Sequence, residues 1–340
     1  MTDRLTLPGF VNAHSHSFQR ALRGRVDGRD FWAWREAMLD VARGQSPERV
    51  RKDYVVIYRE MLAAGFTAVG EFHYLGLEQA YAASDAAAEA GIRFVLLHVA
   101  YARGGIDELR QPTPDAYLQE VGALRHDGLA VGVAPHSVRA CPPDWLEALG
   151  AYADEHDLPL HVHACEQPRE IEECLAEHGL RPIELLARTG CLGPRTTVVH
   201  ATHASDAELD LLAEHGARIC VCPTTEASLG DGFVPVERIR ARAIPLCIGS
   251  DSNVRIDPLE ELRELEGTAR RLELRRGVID VEELLLIGSV EGAAALGLDA
   301  WGDITADLRH PSLAGVEPDE ARAALVFGCG ADVLAPPGQR

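Results

Sequence analysis

Short apolar runs alternate along the chain with longer segments whose apolar residues return every three or four positions. Eight such runs lie within the first 251 residues: FVNAHSH (10–16), TAVGEFHY (67–74), FVLLHVA (94–100), LAVGVAPHS (129–137), LPLHVHAC (158–165), TTVVHA (196–201), ARICVCPT (217–224) and IPLCIGSD (244–251). Most are rich in Val, Ile and Leu without strict alternation, the pattern of parallel strands buried on both faces. Between most of them lie helical patterns, such as SPERVRKDYVVIYREMLAAG (46–65), LEQAYAASDAAAEAG (77–91) and SDAELDLLAEHGA (205–217). The first opens Ser-Pro-Glu-Arg and closes on Gly, a capped start and a glycine stop. Eight strand–helix alternations predict an α/β fold, a (β/α)8 TIM-like barrel.

After Asp251 the pattern predicts helices over PLEELRELEGTARRLEL and VEELLLIGSVEGAAALG, then short runs in GDITADLRHPSLAG and ALVFGCGADVLAPPGQR that suit a few strands of a small appendage. No repeat, low-complexity tract or linker divides the chain. In a (β/α)8 barrel, chemistry sits at the C-terminal ends of the strands. Here those ends carry His14, His16, His73, Tyr74, His136, His163, His200 and Asp251. Core packing has no use for so many polar, metal-binding side chains at one end of apolar strands.

Composition narrows the function. The 340 residues are 46% hydrophobic, enough for one large core. No apolar stretch is long enough to span a bilayer, and MTDRLTLPGF lacks the layout of a signal peptide, so a cytoplasmic protein is expected. The formal net charge of −20 argues against nucleic-acid and anionic-membrane partners. Eight scattered cysteines form no CxxC pair and read as reduced, buried thiols.

His14-Ser-His16 ends the first predicted strand, where residues two apart share a face and can reach one ion. Alone, such a pair is a weak signal; two solvent-facing histidines would explain it as well. His161-Val-His163 repeats the spacing in the fifth run, His200 ends the sixth and Asp251 the eighth. Imidazoles with one carboxylate suit one divalent cation, zinc first, with manganese, iron or nickel compatible. Such a cation lowers the pKa of a bound water toward neutrality. His161 is assigned to packing or indirect support, with His73, His98 and His203 similar cases. His126, His156, His178, His215 and His310 are read as solvated.

In their order, PGFVNAHSH, a later HxxE, the sixth-strand histidine and GSDS resemble the deaminase branch of the amidohydrolase superfamily. The resemblance implies that His14, His16, His163 and Asp251 hold the cation. It also makes Asp251 an acceptor for the water's proton, His200 a group that orients water or substrate, and Glu166 the proton shuttle. HSHSFQRALRG, DFWAWRE, EFHY, PHSVRA, HVHACEQ, VHATHA and TTEASLGDG narrow the likeness to the formimidoylglutamate deiminase family, over about residues 7–265. That family hydrolyses N-formimino-L-glutamate to N-formyl-L-glutamate and ammonia in bacterial histidine degradation.

The narrower likeness implies a substrate pocket of Gln19, Arg35, Tyr74, His136 and Arg139, and a homodimer. Arginine's planar fork suits the carboxylates of such a substrate. Arg35 is expected in the loop after the first strand, steadied by Phe31, Trp32 and Trp34. Asn253 and Arg255 are equally compatible with lining the site or supporting its loop. Family members carry a longer N-terminal segment that begins a small β-sandwich. The expected division is therefore a barrel over 8–300, with 1–7 and 301–340 as a reduced remnant. Three alternatives stand beside this reading: a deaminase for a ring or another N-formimino amino acid, a non-catalytic ligand-binding relative, and a barrel whose histidines are structural.

Overall fold

A computed structural model describes residues 4–25 and 28–335. Eight parallel strands, β2 (Phe10–Ser15), β3 (Phe66–His73), β4 (Arg93–Ala100), β5 (Val131–Pro135), β6 (Leu160–Ala164), β7 (Thr196–His200), β8 (Arg218–Val221) and β9 (Leu246–Ile248), pair in sequence order. Helices lie between most successive strands, as the alternating pattern requires. The Pro47–Ala63 helix starts where the sequence placed it, with the Ser46 hydroxyl accepting the Arg49 N–H.

The sheet closes at its upper end. The Asp251 N–H donates to the His14 carbonyl at 3.0 Å, and the His16 N–H donates to the Asp251 carbonyl at 2.8 Å. The residues that shut the barrel are thus the ones that carry candidate ligands. Closure brings the ends of the first and last barrel strands together although they are more than 230 positions apart in sequence. Gly249 permits this approach: a Cβ there would lie 2.7 Å from the His14 carbonyl oxygen.

The lower interior is filled by side chains, as barrel cores are. Ala13, Val199, Cys220, Cys222, Cys247 and Ala295 form one buried cluster. All eight cysteines are buried free thiols. The run VEELLLIGSVEGAAALG is not one helix. It breaks at Ser289 into Val281–Gly288 and Val290–Ala295. Both pieces press against β2: a Cβ on Gly288 would meet Phe10 at 2.9 Å, and one on Gly292 would meet Val11 at 2.9 Å.

Two further expectations are corrected. The aromatic segment containing Arg35 is not loop but the start of the helix Phe31–Arg43, capped by the Asp30 carboxylate on the Ala33 N–H. All of ALVFG lies in the helix Ala321–Gly328 rather than in a strand. The chain ends still make a small sheet: β1 (Arg4–Pro8), β10 (Asp303–Asp307) and β11 (Leu334–Ala335) pair antiparallel in the order β1-β10-β11. Residues 1–3 and 336–340 of the expected appendage lie outside the described residues. No described helix is long and apolar enough to cross a membrane.

Candidate active site

Four buried side chains meet at the upper mouth of the barrel. His14, His16, His163 and Asp251 each offer a ligand atom, and these atoms all lie within 4.8 Å of one another. The imidazole geometry tests whether a cation fits. His16 Nδ1 lies 3.0 Å from the Phe72 carbonyl, and His163 Nδ1 lies 2.9 Å from the His136 carbonyl. A carbonyl only accepts, so in both rings Nδ1 carries the proton and Nε2 presents a lone pair. Those Nε2 atoms face His14 Nε2 at 3.2 and 3.0 Å. Protons alone cannot resolve this convergence comfortably, because burial holds His14 down to about 3 and His163 well below the ordinary range. Neutral nitrogens aimed at one point beside the Asp251 carboxylate, 3.2 Å from His16 and 3.5 Å from His14, suit a divalent cation.

Backbone strain concentrates here. His200 (φ 74°), Asp251 (φ 42°), Cys165 (φ 58°) and Asn253 (φ 55°) all occupy the left-handed region that non-glycine residues avoid. A polar lattice holds the last loop in this state. Asn12 donates to Ser250 Oγ (2.6 Å), Ser250 donates to Asn253 Oδ1 (2.6 Å), and Asn253 donates to Ser15 Oγ (3.0 Å). Asn253 therefore supports the loop. Arg255 is half exposed and pairs with Asp257 and Glu260 outside it. Arg20 braces the same loop through the carbonyls of Asn253 and Val254.

A cavity opens above the four ligands. Gln19, Arg35, Tyr74, His136, Arg139, Glu166 and His200 line it with His16, His163 and Asp251. Every pocket residue expected from the sequence is thus brought to one cavity. Gln19 donates to the Tyr74 hydroxyl at 2.9 Å, and its Oε1 has no partner among the described residues. Burial and the nearby Arg139 keep His136 neutral, well below the usual imidazole range. Arg35 reaches in from the Phe31–Arg43 helix, whose Phe31, Trp34 and Met38 also line the space. Trp32 instead stacks under the Arg169 guanidinium, 4.3 Å from its ring centre, tying that helix to the segment after β6.

Glu166 lies between two cations-to-be. Its Oε1 is 3.8 Å from His200 Nε2 and its Oε2 is 3.6 Å from Arg139 Nη2. Burial alone would depress His200, yet Glu166, Glu226 and Asp251 outweigh it and raise its pKa to about 10. Glu226 is a residue that the sequence reading left without a role. It accepts from His200 Nδ1 at 3.2 Å and from the Cys222 N–H at 2.9 Å, fixing the ring. Asp231, in the same TTEASLGDG motif, is buried against Gln167, and burial with the nearby Glu166 charge lifts it to about 9. The motif flagged the segment; only the closed fold shows that its acids reach back to His200 and Glu166. TTEASL itself lies wholly in the helix Pro223–Leu229.

The remaining histidines sort by partner. His161 Nε2 donates to the Ala295 carbonyl at 2.9 Å, His98 faces Glu120 at 2.9 Å, and His203 donates to the Asp231 carbonyl at 2.7 Å. His73 is buried beside Tyr54. His126 is exposed, whereas His156, His178, His215 and His310 are half-buried rather than fully solvated.

Known proteins share this frame. The Amidohydrolase family profile matches residues 5–307. Formimidoylglutamate deiminase of Pseudomonas aeruginosa is 37% identical over 328 residues, covering 87% of this chain and 72% of that protein. A 5-methylthioadenosine/S-adenosylhomocysteine deaminase of Haloarcula marismortui is 31% identical, with coverages of 88% and 70%. Among solved structures, an amidohydrolase from Brucella melitensis superposes with a TM-score of 0.87 at 32% identity, covering 97% of this chain and 84% of that one. A zinc-bound adenosine deaminase from Xanthomonas campestris gives 0.89 at 25% identity, with coverages of 98% and 78%. The chain belongs to the amidohydrolase family, as a deaminase-type hydrolase of carbon–nitrogen bonds.

Proposed function

We propose that this enzyme hydrolyses N-formimino-L-glutamate to N-formyl-L-glutamate and ammonia, using one divalent cation, zinc by preference, held by His14, His16, His163 and Asp251. The observation that carries the reading is the pairing of two arginines, Arg35 and Arg139, with the ligand cluster in one cavity. A planar amidine with two carboxylates needs such a combination; a purine ring has no use for two guanidinium groups at its pocket. The 37% identity to a formimidoylglutamate deiminase supports the same substrate.

When bound, the cation would lower the pKa of a water toward neutrality and polarise the reacting group. The chain's own side chains do the rest. Asp251 accepts a proton from the attacking water. Glu166, 3.8 Å from His200, takes the water's other proton to the departing nitrogen, and the proton held by Asp251 follows, so that both leave in ammonia. His200, fixed by Glu226, faces the developing charge at the former amidine carbon. Arg35, Arg139 and Tyr74 receive the carboxylates, while Gln19 and His136 supply hydrogen bonds to them or to the formimino group. The product's appearance in histidine breakdown, a cytoplasmic location, a homodimeric assembly and a division into an 8–300 barrel with terminal remnants complete the proposal.

The test is ammonia release by the zinc-loaded protein from N-formimino-L-glutamate, N-formimino-L-aspartate and 5-methylthioadenosine. A turnover preference of about a hundredfold or more for the glutamate compound supports the assignment, the size expected when buried charges are matched or left unpaired. Equal or better turnover of the adenosine compound overturns it.

A further inference from the structure

Glu170 lies one helical turn beyond Glu166, in the helix Pro168–His178, and is fully buried. Its two oxygens have different fates. Oε2 accepts the Glu166 N–H at 3.0 Å. Oε1 makes no hydrogen bond among the described residues and faces Arg139 Nε at 3.9 Å. Arg139 Nε has no hydrogen bond among them either. Two buried atoms, a carboxyl oxygen and a guanidinium nitrogen, therefore point unmade bonds at each other across a gap about 1 Å longer than a charge-assisted hydrogen bond. The other end of the guanidinium stands 3.6 Å from Glu166, again short of a full bond.

Buried polar atoms normally find partners, and an unmade bond here is costly. The arginine is suspended between two carboxylates and bonded to neither, with its guanidinium opening on the cavity. A full bond between Arg139 and Glu166 would tie the shuttle's carboxylate to a fixed cation and keep it from the departing nitrogen. It would also withdraw the guanidinium from substrate. A second carboxylate on the far side prevents both.

We infer that Glu170 is a positioning residue: one oxygen fixes the backbone of Glu166, and the other holds Arg139 off the Glu166 carboxylate and toward a substrate carboxylate. This rests on the proposed substrate. A plain capping role for Glu170, reaching back to the Glu166 N–H from the first turn of its helix, would need only the first oxygen. Glu170→Gln separates the two roles, because the amide oxygen still accepts that N–H while the charge facing Arg139 is gone.

The experiment compares zinc-loaded wild type, Glu170→Gln, Arg139→Met and the double variant by ammonia release from N-formimino-L-glutamate. Glu170→Gln is expected to lower kcat by about tenfold or more and to raise KM in the direction of Arg139→Met, because the released guanidinium both engages Glu166 and leaves the substrate carboxylate. Arg139→Met is expected to raise KM. The double variant is expected to keep kcat within about threefold of Arg139→Met alone, since no guanidinium remains to trap Glu166. Kinetics of Glu170→Gln within about twofold of wild type, or a further loss of about tenfold in the double variant, would overturn the inference. Should Glu170→Gln fail to fold, the double variant, in which the buried pair is neutralised together, decides against Arg139→Met. A wild type that releases no ammonia from this compound defeats the substrate reading instead. The coupling is then read from denaturant unfolding of the same four proteins: non-additivity of about fivefold in the unfolding constant upholds it, and additivity defeats it.

Discussion

His161 and His163 stand two residues apart on β6, on the same face and both buried, yet they belong to different ends of the barrel. The lower ring gives Nε2 to a backbone carbonyl, that of Ala295. The upper ring gives Nδ1 to a backbone carbonyl, that of His136, and leaves Nε2 aimed at His14. Burial lowers the proton affinity of both, His161 to about 4 and His163 well below the ordinary range. Residue type, depth and titration therefore do not separate a packed histidine from a ligand. What separates them is which nitrogen is already committed, and whether the other meets a shared point.

The sharpest way to break this comparison is at the shared point. Asp251→Asn or His163→Asn should remove the bound cation, seen as less than one zinc per chain by elemental analysis, and should lower turnover by at least about a thousandfold. The metal also holds the folded state: with free cation at about a thousand times its dissociation constant, the gain is about 4 kcal/mol. Chelator should thus lower the melting temperature of wild type and leave that of Asp251→Asn nearly unchanged. A chelated wild type that keeps its melting temperature would mean that the upper cluster is as self-sufficient as the lower one.

Glu166→Gln comes next. It leaves the four ligands intact, so zinc content should match wild type while kcat falls by about 10²–10⁴, the usual worth of a positioned proton donor or acceptor. Near-normal turnover would move the proton path elsewhere at the mouth. Arg139→Met follows, with a loss of roughly 2–5 kcal/mol in substrate binding if it removes one partner of a buried charge pair. A rise in KM measures it, and Arg35→Met should act in the same direction, since both guanidinium groups line the cavity.

How far the sequence alone reached can be read from the same residues. The order of eight apolar runs determined the barrel, because a buried parallel strand is written locally. Ligands at strand ends were equally plain once the barrel was assumed. The His161–His163 distinction came from the likeness and from one ligand per strand being enough; the local pattern is the same for both, and the deciding carbonyls, Ala295 and His136, lie on other elements. Glu226 and Asp231 escaped for the same reason: their partners, His200 and Gln167, lie 26 and 64 positions away. The helix around Arg35 is poorly marked in the sequence because aromatic residues crowd its first turn, although Asp30 caps it.

Acid offers a smaller test, in which the two ends should behave alike. His14 has its folded value held at about 3 against an ordinary 6.5, and His161 at about 4. In that window the unfolded chain binds protons that the folded chain refuses, so metal-free protein loses stability as pH falls below 6.5. Each imidazole contributes a slope of about 1.4 kcal/mol per pH unit until its folded value is reached. His200, raised to about 10, has the opposite sign: its contribution is complete below 6.5 and is lost as pH rises toward 10. Urea unfolding of metal-free His14→Asn and His161→Asn should show slopes on the acid side shallower than wild type by similar amounts. A wild-type slope in either variant would contradict the depressed value.

The least effect on turnover is expected from His161→Asn, and its smallness is the point. The asparagine is shorter, so it leaves a small void and places its amide away from the Ala295 carbonyl. A buried acceptor then loses its donor, at a cost of about 1–3 kcal/mol in stability. Zinc content and KM should stay at wild-type values, because His163 keeps its own anchor on the His136 carbonyl. Turnover should stay within about threefold, since the two rings share a strand but no hydrogen bond and each is anchored on its own backbone carbonyl. The measurement is a paired one, unfolding free energy beside zinc occupancy. A variant that loses its zinc while keeping its stability would show that the lower ring sets the position of the upper one, and that the two ends of this barrel are not separable.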